Sequence, residues 1–396
     1  MKYIILVGDG MPDTPVKELG NKTPLEFAKT PNMDLAASLG LCGTADFVPT
    51  SMKPGADVAN LSLFGYDPLK YYTGRGPLEA ASMGVEIGDD DVAFRCNLVT
   101  IKDGVMDDYS AGHITTEEAR SVIETLNLKL GTSDVRFYSG VSYRHLCVIK
   151  GGARAAKCAA PHDISGKGII KYLPSGEGAT VLNDLMERSI EILNKCGINK
   201  DRIKKGKKPA NFIWLWGQGM KPSMPTYEEK YNITGSVITA VDLIKGIGVY
   251  AGLDVINVPG ATGYLDTNYK GKAQYALESL RVKDFVFVHV EAPDEAGHNG
   301  DIKGKIKAIE DFDRLVVGTI LKGMSGFKEW RLLITSDHAT PLNIKTHSRG
   351  AVPFAVCGTS IKKGAIRKFS ENEMAKGPLI IAKGHTLTTK FIKGEF

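Results

Sequence analysis

Asp9, Asp294, His298, Asp337, His338 and His347 are side chains of the kind that ligate metals, and they fall in short clusters near the two ends of the chain. The first three clusters each follow an apolar, strand-like run: Tyr3–Val7 before Asp9, Phe285–Val288 before Asp294, and Leu332–Ile334 before Asp337. Open parallel sheets bind ligands at the carboxyl ends of their strands. Three strand ends delivering carboxylates and imidazoles to one rim predict a two-metal site, which suits phosphoryl transfer by in-line displacement. Asp294 and His298 are spaced to share one helical face. Asp337 and His338 are adjacent and would splay at a strand exit, feeding two neighbouring ions. Mixed carboxylate and imidazole ligation suits Mn²⁺, Zn²⁺, Fe²⁺ or Co²⁺ better than Ca²⁺. A lone Asp-x-x-x-His is commonly a surface pair, and Asp-His after a strand is commonly a turn. The joint occurrence, with His347 in a following loop, carries the metal reading.

The elements that must position these residues read as alternating strand and helix. Thr23 to Leu39 has helical spacing with Gly40 as its stop, Leu41 to Val48 reads as a strand, and two glycine-rich loops follow, Lys53–Asn60 and Thr73–Pro77. The stretch 106–209 has a different texture: helices over Thr115–Leu128 and Gly178–Lys195, strands over Val135–Tyr138 and Tyr143–Ile149, and none of the six ligands. After Pro209 the alternation resumes with a strand over Asn211–Trp216, a helix over Val237–Lys245, a strand over Asp254–Val258 and a helix over Lys272–Leu280. Such alternation predicts an α/β fold, a mostly parallel sheet covered by helices. The simplest division is a discontinuous core of residues 1–105 and 210–396, interrupted by an α+β cap at 106–209.

Composition bounds the rest. A chain of 396 residues with 43% hydrophobic content supports more than one packed core. A net charge of +5 gives no case for nucleic acid, and the basic run Arg202–Lys208 reads as a solvated loop. Six scattered cysteines form no Cys-x-x-Cys pair, no signal-like leader is visible, and no stretch reaches the length of a membrane span. These features lead to the expectation of a reduced, cytoplasmic, soluble protein without a membrane partner; its oligomeric state is not readable.

Several segments together resemble the archaeal-type branch of cofactor-independent (2,3-bisphosphoglycerate-independent) phosphoglycerate mutases, in the alkaline phosphatase superfamily. They are Val7–Gly10, Lys53–Asp57, Leu63–Pro68, Tyr72–Pro77, Val290–His298, Thr335–His338, and His347 followed by Val352–Phe354. The resemblance implies an alkaline-phosphatase-like core and interconversion of 3-phosphoglycerate and 2-phosphoglycerate through a phosphoserine, with no 2,3-bisphosphoglycerate. It implies two divalent ions, Mn²⁺ first, with Zn²⁺, Co²⁺ or Mg²⁺ as alternatives. Asp9, Asp337 and His338 would hold one together with the nucleophile, and Asp294, His298 and His347 the other.

One position departs from the family pattern. Where the nucleophilic serine is expected, between Gly55 and Asp57, stands Ala56. A methyl group neither attacks phosphorus nor binds a metal. Three readings stand: an engineered Ser→Ala change, favoured because the rest of the apparatus is intact; an inactive relative that still binds metal or phosphoglycerate; and a nucleophile shifted to Ser51 or Ser62. For substrate, the candidates are Asn60 after the nucleophile loop (where the family often has His), Arg75 between two glycines, Arg95 and Asn97 on a strand, and His162 with Asp163 in a loop after Pro161. The resemblance at Pro161-His162 suggests Asp163 for proton handling, and that at Glu228–Tyr231 suggests Lys230 for neutralising phosphate or protonating the leaving hydroxyl. His113, His145, His289 and His385 have no evident partners and read as structural. A phosphomonoester hydrolase and a non-catalytic metal or phosphoglycerate binder are the rival functions. The long insert favours return of the phosphoryl group to an acceptor over its loss to water.

Overall fold

The computed structural model describes all of residues 1–396, which divide into two compact units. The first comprises Met1–Tyr72 and Met224–Phe396; the second is Thr73–Ser223. No helix is long and apolar enough to cross a membrane.

Thirteen strands serve the two units. In the first are β1 (Lys2–Gly8) and β2 (Leu41–Ala45); in the second are β3 (Asp91–Lys102), β4 (Val105–Asp108), β5 (Val135–Tyr138), β6 (Arg144–Lys150) and β7 (Phe212–Met220). The first unit continues with β8 (Gly235–Ile238), β9 (Asp254–Val255), β10 (Phe285–Val290), β11 (Trp330–Thr335), β12 (Val352–Gly358) and β13 (Leu379–Ile381). Its sheet has eight strands in the order β13-β2-β12-β11-β1-β10-β8-β9. Only β12 runs against its neighbours, β11 and β2. β1 lies between β10 and β11, parallel to both, with Val7 opposite His289 on one side and Thr335 on the other. The composition fits this placement: the three strands are buried on both faces and read as largely continuous apolar runs, as parallel strands covered by helices must. Their carboxyl ends therefore finish level.

The second unit is antiparallel. β3 is its spine, pairing β6 along Asp91–Asn97, β7 along Val92–Val99, and β4 at its end. The helices Thr116–Leu130 and Ala179–Lys195 supply Val122, Leu126, Leu182 and Leu185 to its core. These two helices match the expected ones to within a turn. The expected domain bounds do not hold. β3 and β7, which read as core strands, are the centre of the insert's sheet, so the insert runs over Thr73–Ser223 rather than 106–209. Sheet partnership decides membership, and partners are not visible in local pattern.

Two further expectations are corrected. The helix read over Thr23–Leu39 is two pieces, Pro24–Phe27 and Pro31–Leu39, because Pro31 has no amide to continue the first and begins the second instead. Val237–Lys245 is not one helix: Gly235–Ile238 is β8, and the helix runs over Asp242–Tyr250.

Candidate functional site

All six expected ligands meet at the carboxyl ends of β1, β10 and β11. The Asp9 amide still donates to the Val290 carbonyl at 2.9 Å, so the chain leaves the sheet just at this residue. Gly10 follows with φ 63°; a Cβ there would lie 2.7 Å from the Asp294 Cα, so only glycine lets the two strand exits approach. Asp294 and His298 sit on the helix Ala292–Asn299 after β10.

The ligands fall into two adjoining sets. In one, Asp337 Oδ1 accepts the amides of Gly10 (3.3 Å) and His338 (2.9 Å), which leaves Oδ2 facing His338 Nε2 at 3.4 Å. Asp9 Oδ1 lies 3.6 Å from the same His338 Nε2. Both Asp9 Oδ1 and His338 Nε2 are buried without a hydrogen-bond partner. In the other set, His298 Nε2 is 3.2 Å from Asp294 Oδ2 and 3.0 Å from His347 Nε2, while His347 Nε2 is 3.5 Å from Asp294 Oδ1. His298 Nδ1 donates to the Lys345 carbonyl at 3.0 Å, which turns the Nε2 lone pair inward. Thr340 Oγ1 donates to Asp294 Oδ1. The rings of His338 and His347 are 4.1 Å apart, joining the two sets.

The electrostatics call for positive charge. Burial, followed by the carboxylates of Asp337 and Asp294, holds the Asp9 carboxyl well above the usual range. Burial also opposes ionisation of Asp294, but hydrogen bonds from His298 and His347 outweigh it and carry its carboxyl well below that range. The same Asp294 contact lifts His298 to about 9. Burial pushes His338 down despite Asp337 beside it. Three buried carboxylates facing orphaned or inward-aimed imidazole nitrogens are a donor set that fits divalent cations.

Ala56 opens the helix Ala56–Leu63 beside the first set. Buried Asn60 ties it there: Nδ2 donates both to the Ala56 carbonyl (2.9 Å) and to Asp337 Oδ2 (2.7 Å). Ser62 lies on the same helix, about 9 Å further along its axis at 1.5 Å per residue.

Arg75, Arg95, Asn97 and His162 form a separate cluster inside the insert, around Trp216. The guanidiniums of Arg95 and Arg75 lie 4.4 and 5.8 Å from the indole centroid. The His162 ring meets the indole edge-on at 5.3 Å. Trp216 Nε1 donates to Asn97 Oδ1 at 3.0 Å, and Glu79 pairs with Arg95 at 2.9 Å. A Cβ on Gly74 or Gly76 would fall about 2 Å from the carbonyl of Gln218 or Ala93 (1.9 and 2.0 Å), so the glycines flanking Arg75 allow its helix to sit tight on β7 and β3. Burial holds His162 below its usual value; Asp163 opposes this, and Arg75 and Arg95 reinforce it. Asp163 is exposed, 3.7 Å from His162.

Lys230 lies elsewhere in the first unit. It precedes β8, on the amino-terminal side of the sheet, and its ammonium donates to the Gly65 carbonyl between the rings of Tyr66 and Tyr231. Gly65 follows the far end of the helix that Ala56 begins. His289 corrects the sequence reading: it is not partnerless, since its Nε2 is 3.0 Å from Asp9 Oδ2. Its one sequence signal is a polar residue in the otherwise apolar run of β10. Trp216 and Thr340 were also missed, and neither has a local signature.

The mostly parallel sheet covered by helices, with the cluster on its carboxyl rim, defines an α/β fold that solved relatives share over their whole length. The family model of 2,3-bisphosphoglycerate-independent phosphoglycerate mutase matches residues 37–199. A relative of that name from Methanosarcina barkeri is 52% identical, with 100% of both chains covered, and a probable one from Geobacter sulfurreducens is 53% identical over 98% of each. The solved cofactor-independent phosphoglycerate mutase from Thermoplasma acidophilum aligns with a TM-score of 0.70 at 28% identity over 100% of both chains. A solved Pyrococcus horikoshii protein aligns at 0.85 with 32% identity, covering 99% of this chain and 96% of that one. The chain belongs to the 2,3-bisphosphoglycerate-independent phosphoglycerate mutase family.

Proposed function

We propose that this chain carries the apparatus of a two-cation phosphoglycerate mutase, and that Ala56 silences it. The observation that carries the reading is the pair of orphaned buried atoms, Asp9 Oδ1 and His338 Nε2, 3.6 Å apart beside Asp337 and the helix that Ala56 begins. Asp9, Asp337 and His338 would hold one cation; Asp294, His298 and His347 would hold the other, Mn²⁺ being the first choice for mixed oxygen and imidazole ligands. Such ions neutralise phosphoryl oxygens and ease ionisation of a coordinated hydroxyl.

The chain's own residues do the rest. Asn60, bonded to both Ala56 and Asp337, fixes residue 56 against the first ligand set. A serine there is the attacking group; its phosphorylated form returns the phosphoryl group to the other hydroxyl of glycerate. The Arg75 and Arg95 guanidiniums, held by Trp216, are proposed to recognise the glycerate carboxylate or phosphate, with Asn97 and His162 completing that polar surface. Asp163 beside His162 is the proposed proton-handling group of the insert.

The test is Ala56→Ser with Mn²⁺ in a coupled assay for 2-phosphoglycerate formed from 3-phosphoglycerate. Isomer exchange is expected. Release of inorganic phosphate in its place would establish a hydrolase, and silence of both reactions would favour a binding protein, the reading that Ala56 itself supports.

A further inference from the structure

We infer that His289 is a positioning residue that turns Asp9 into a one-pronged cation ligand, and that Thr239 sets the tautomer this requires. The inference rests on the two-cation reading above and deepens it. The six expected ligands all lie beyond the ends of their strands, whereas His289 lies within β10, one residue before its end and wholly buried. It therefore sits one layer beneath the rim. Its Nε2 is 3.0 Å from Asp9 Oδ2, and its Nδ1 is 3.3 Å from Thr239 Oγ1. The Val241 amide donates to that same Oγ1 at 3.0 Å, and an ionised Asp9 at Nε2 calls for a donor there, so the hydroxyl proton is assigned to His289 Nδ1. An imidazole that accepts at Nδ1 carries its proton at Nε2, and so donates to Asp9.

The consequence falls on the two oxygens of Asp9. Oδ2 is occupied by the His289 N–H. Oδ1 remains without a partner and faces His338 Nε2 at 3.6 Å. Buried Lys272, whose ammonium donates to the His289 carbonyl at 2.9 Å, disfavours a further cation at this ring. The grouping of Asp9, His289 and Asp337 thus resembles a third ligand set in spacing alone. Groups behind a ligand commonly change metal affinity about 10- to 100-fold when removed.

The experiment is calorimetric titration of the full chain with Mn²⁺, before and after His289→Leu, His289→Gln and Thr239→Val, with the metal-free melting temperature of each as a fold control. Two sites are expected in the unaltered chain. His289→Leu should weaken one of them about 10- to 100-fold and leave the other within about threefold. His289→Gln, which keeps an N–H donor, should recover most of the loss, and its pulsed-EPR spectrum should keep the same bound imidazole nitrogens. Thr239→Val leaves the ring in place and should weaken the same site by a smaller factor. Unchanged affinity in both His289→Leu and Thr239→Val would overturn the positioning role. Loss in Gln equal to that in Leu, with a bound nitrogen missing, would make His289 a ligand and overturn it too. If His289→Leu does not fold, Thr239→Val decides alone. No Mn²⁺ uptake by the unaltered chain would sink the two-cation reading itself, an outcome distinct from uptake that ignores residue 289.

Discussion

The rim of the first unit and the cluster of the insert solve opposite electrostatic problems. The rim buries carboxylates around imidazoles and demands added positive charge. The insert gathers two guanidiniums on one indole, one of them paired with Glu79, and this is the positive charge we propose for an anion. Their construction differs as well. The rim is assembled by backbone: three parallel strands end level, and the loops and the helix that follow them supply the ligands. The insert's cluster is assembled by side chains, with Trp216 of β7 as the common surface for groups from a helix, β3 and a short 3₁₀ turn. A rim set by strand ends can be exact in position yet tolerant of what surrounds it. A cluster set by one ring depends on that ring.

The largest expected effect tests what the rim is for. Ala56→Ser should raise mutase turnover by at least about a thousandfold, since a covalent route needs its nucleophile; no gain would separate the rim from this chemistry. Next, Mn²⁺ should protect one region only. At a hundred times its dissociation constant a ligand stabilises by about 2.7 kcal/mol. Amide exchange should slow across Met1–Tyr72 and Met224–Phe396 and not within Thr73–Ser223; protection confined to the insert would reverse the comparison.

Arg95→Leu probes the other side. Removing the guanidinium from buried Glu79 should cost about 3 kcal/mol of insert stability in denaturant unfolding. Loss of one charge-assisted contact, about 1.5–3 kcal/mol, should weaken 3-phosphoglycerate binding roughly 10- to 100-fold while leaving Mn²⁺ affinity unchanged.

The last test is one of pH. Burial lowers His145, in the insert, to about 3, and its Nδ1 accepts the Gly140 amide at 3.0 Å. The unfolded chain therefore binds a proton that the folded insert refuses. Stability is full above the unfolded value of about 6.5 and falls as pH drops from there towards 3, by about 1.4 kcal/mol per unit at most. His145→Gln keeps an acceptor and should flatten that slope; an unchanged slope would assign the acid loss elsewhere.

The rim was legible in the sequence because Asp9, Asp294 and the Asp337–His338 pair stand just after the apolar runs that position them, with His298 one helical turn beyond Asp294. Strand identity and ligand identity are local, and parallel strands of like length finish together. The helices at Thr116–Leu130 and Ala179–Lys195 were legible for the same reason, their periodicity and flanking glycines being contained in the segment. The insert's bounds were not, because β3 and β7 look like any apolar strand and only their pairing assigns them. The place of Lys230, beside Gly65 and before β8, was not legible either, because the resemblance that singled it out lies in its neighbours in sequence.

What the sequence determined by itself is the chemistry available: six ligands after strand-like runs, an alanine where a hydroxyl is expected, one arginine between two glycines and another on a strand. What only the tertiary structure decided is which atoms are left over. His289 reaches Asp9 across 280 positions and Trp216 reaches Asn97 across 119. Such partnerships depend on strand register and ring orientation, quantities fixed by packing the whole chain and written in no single segment of it.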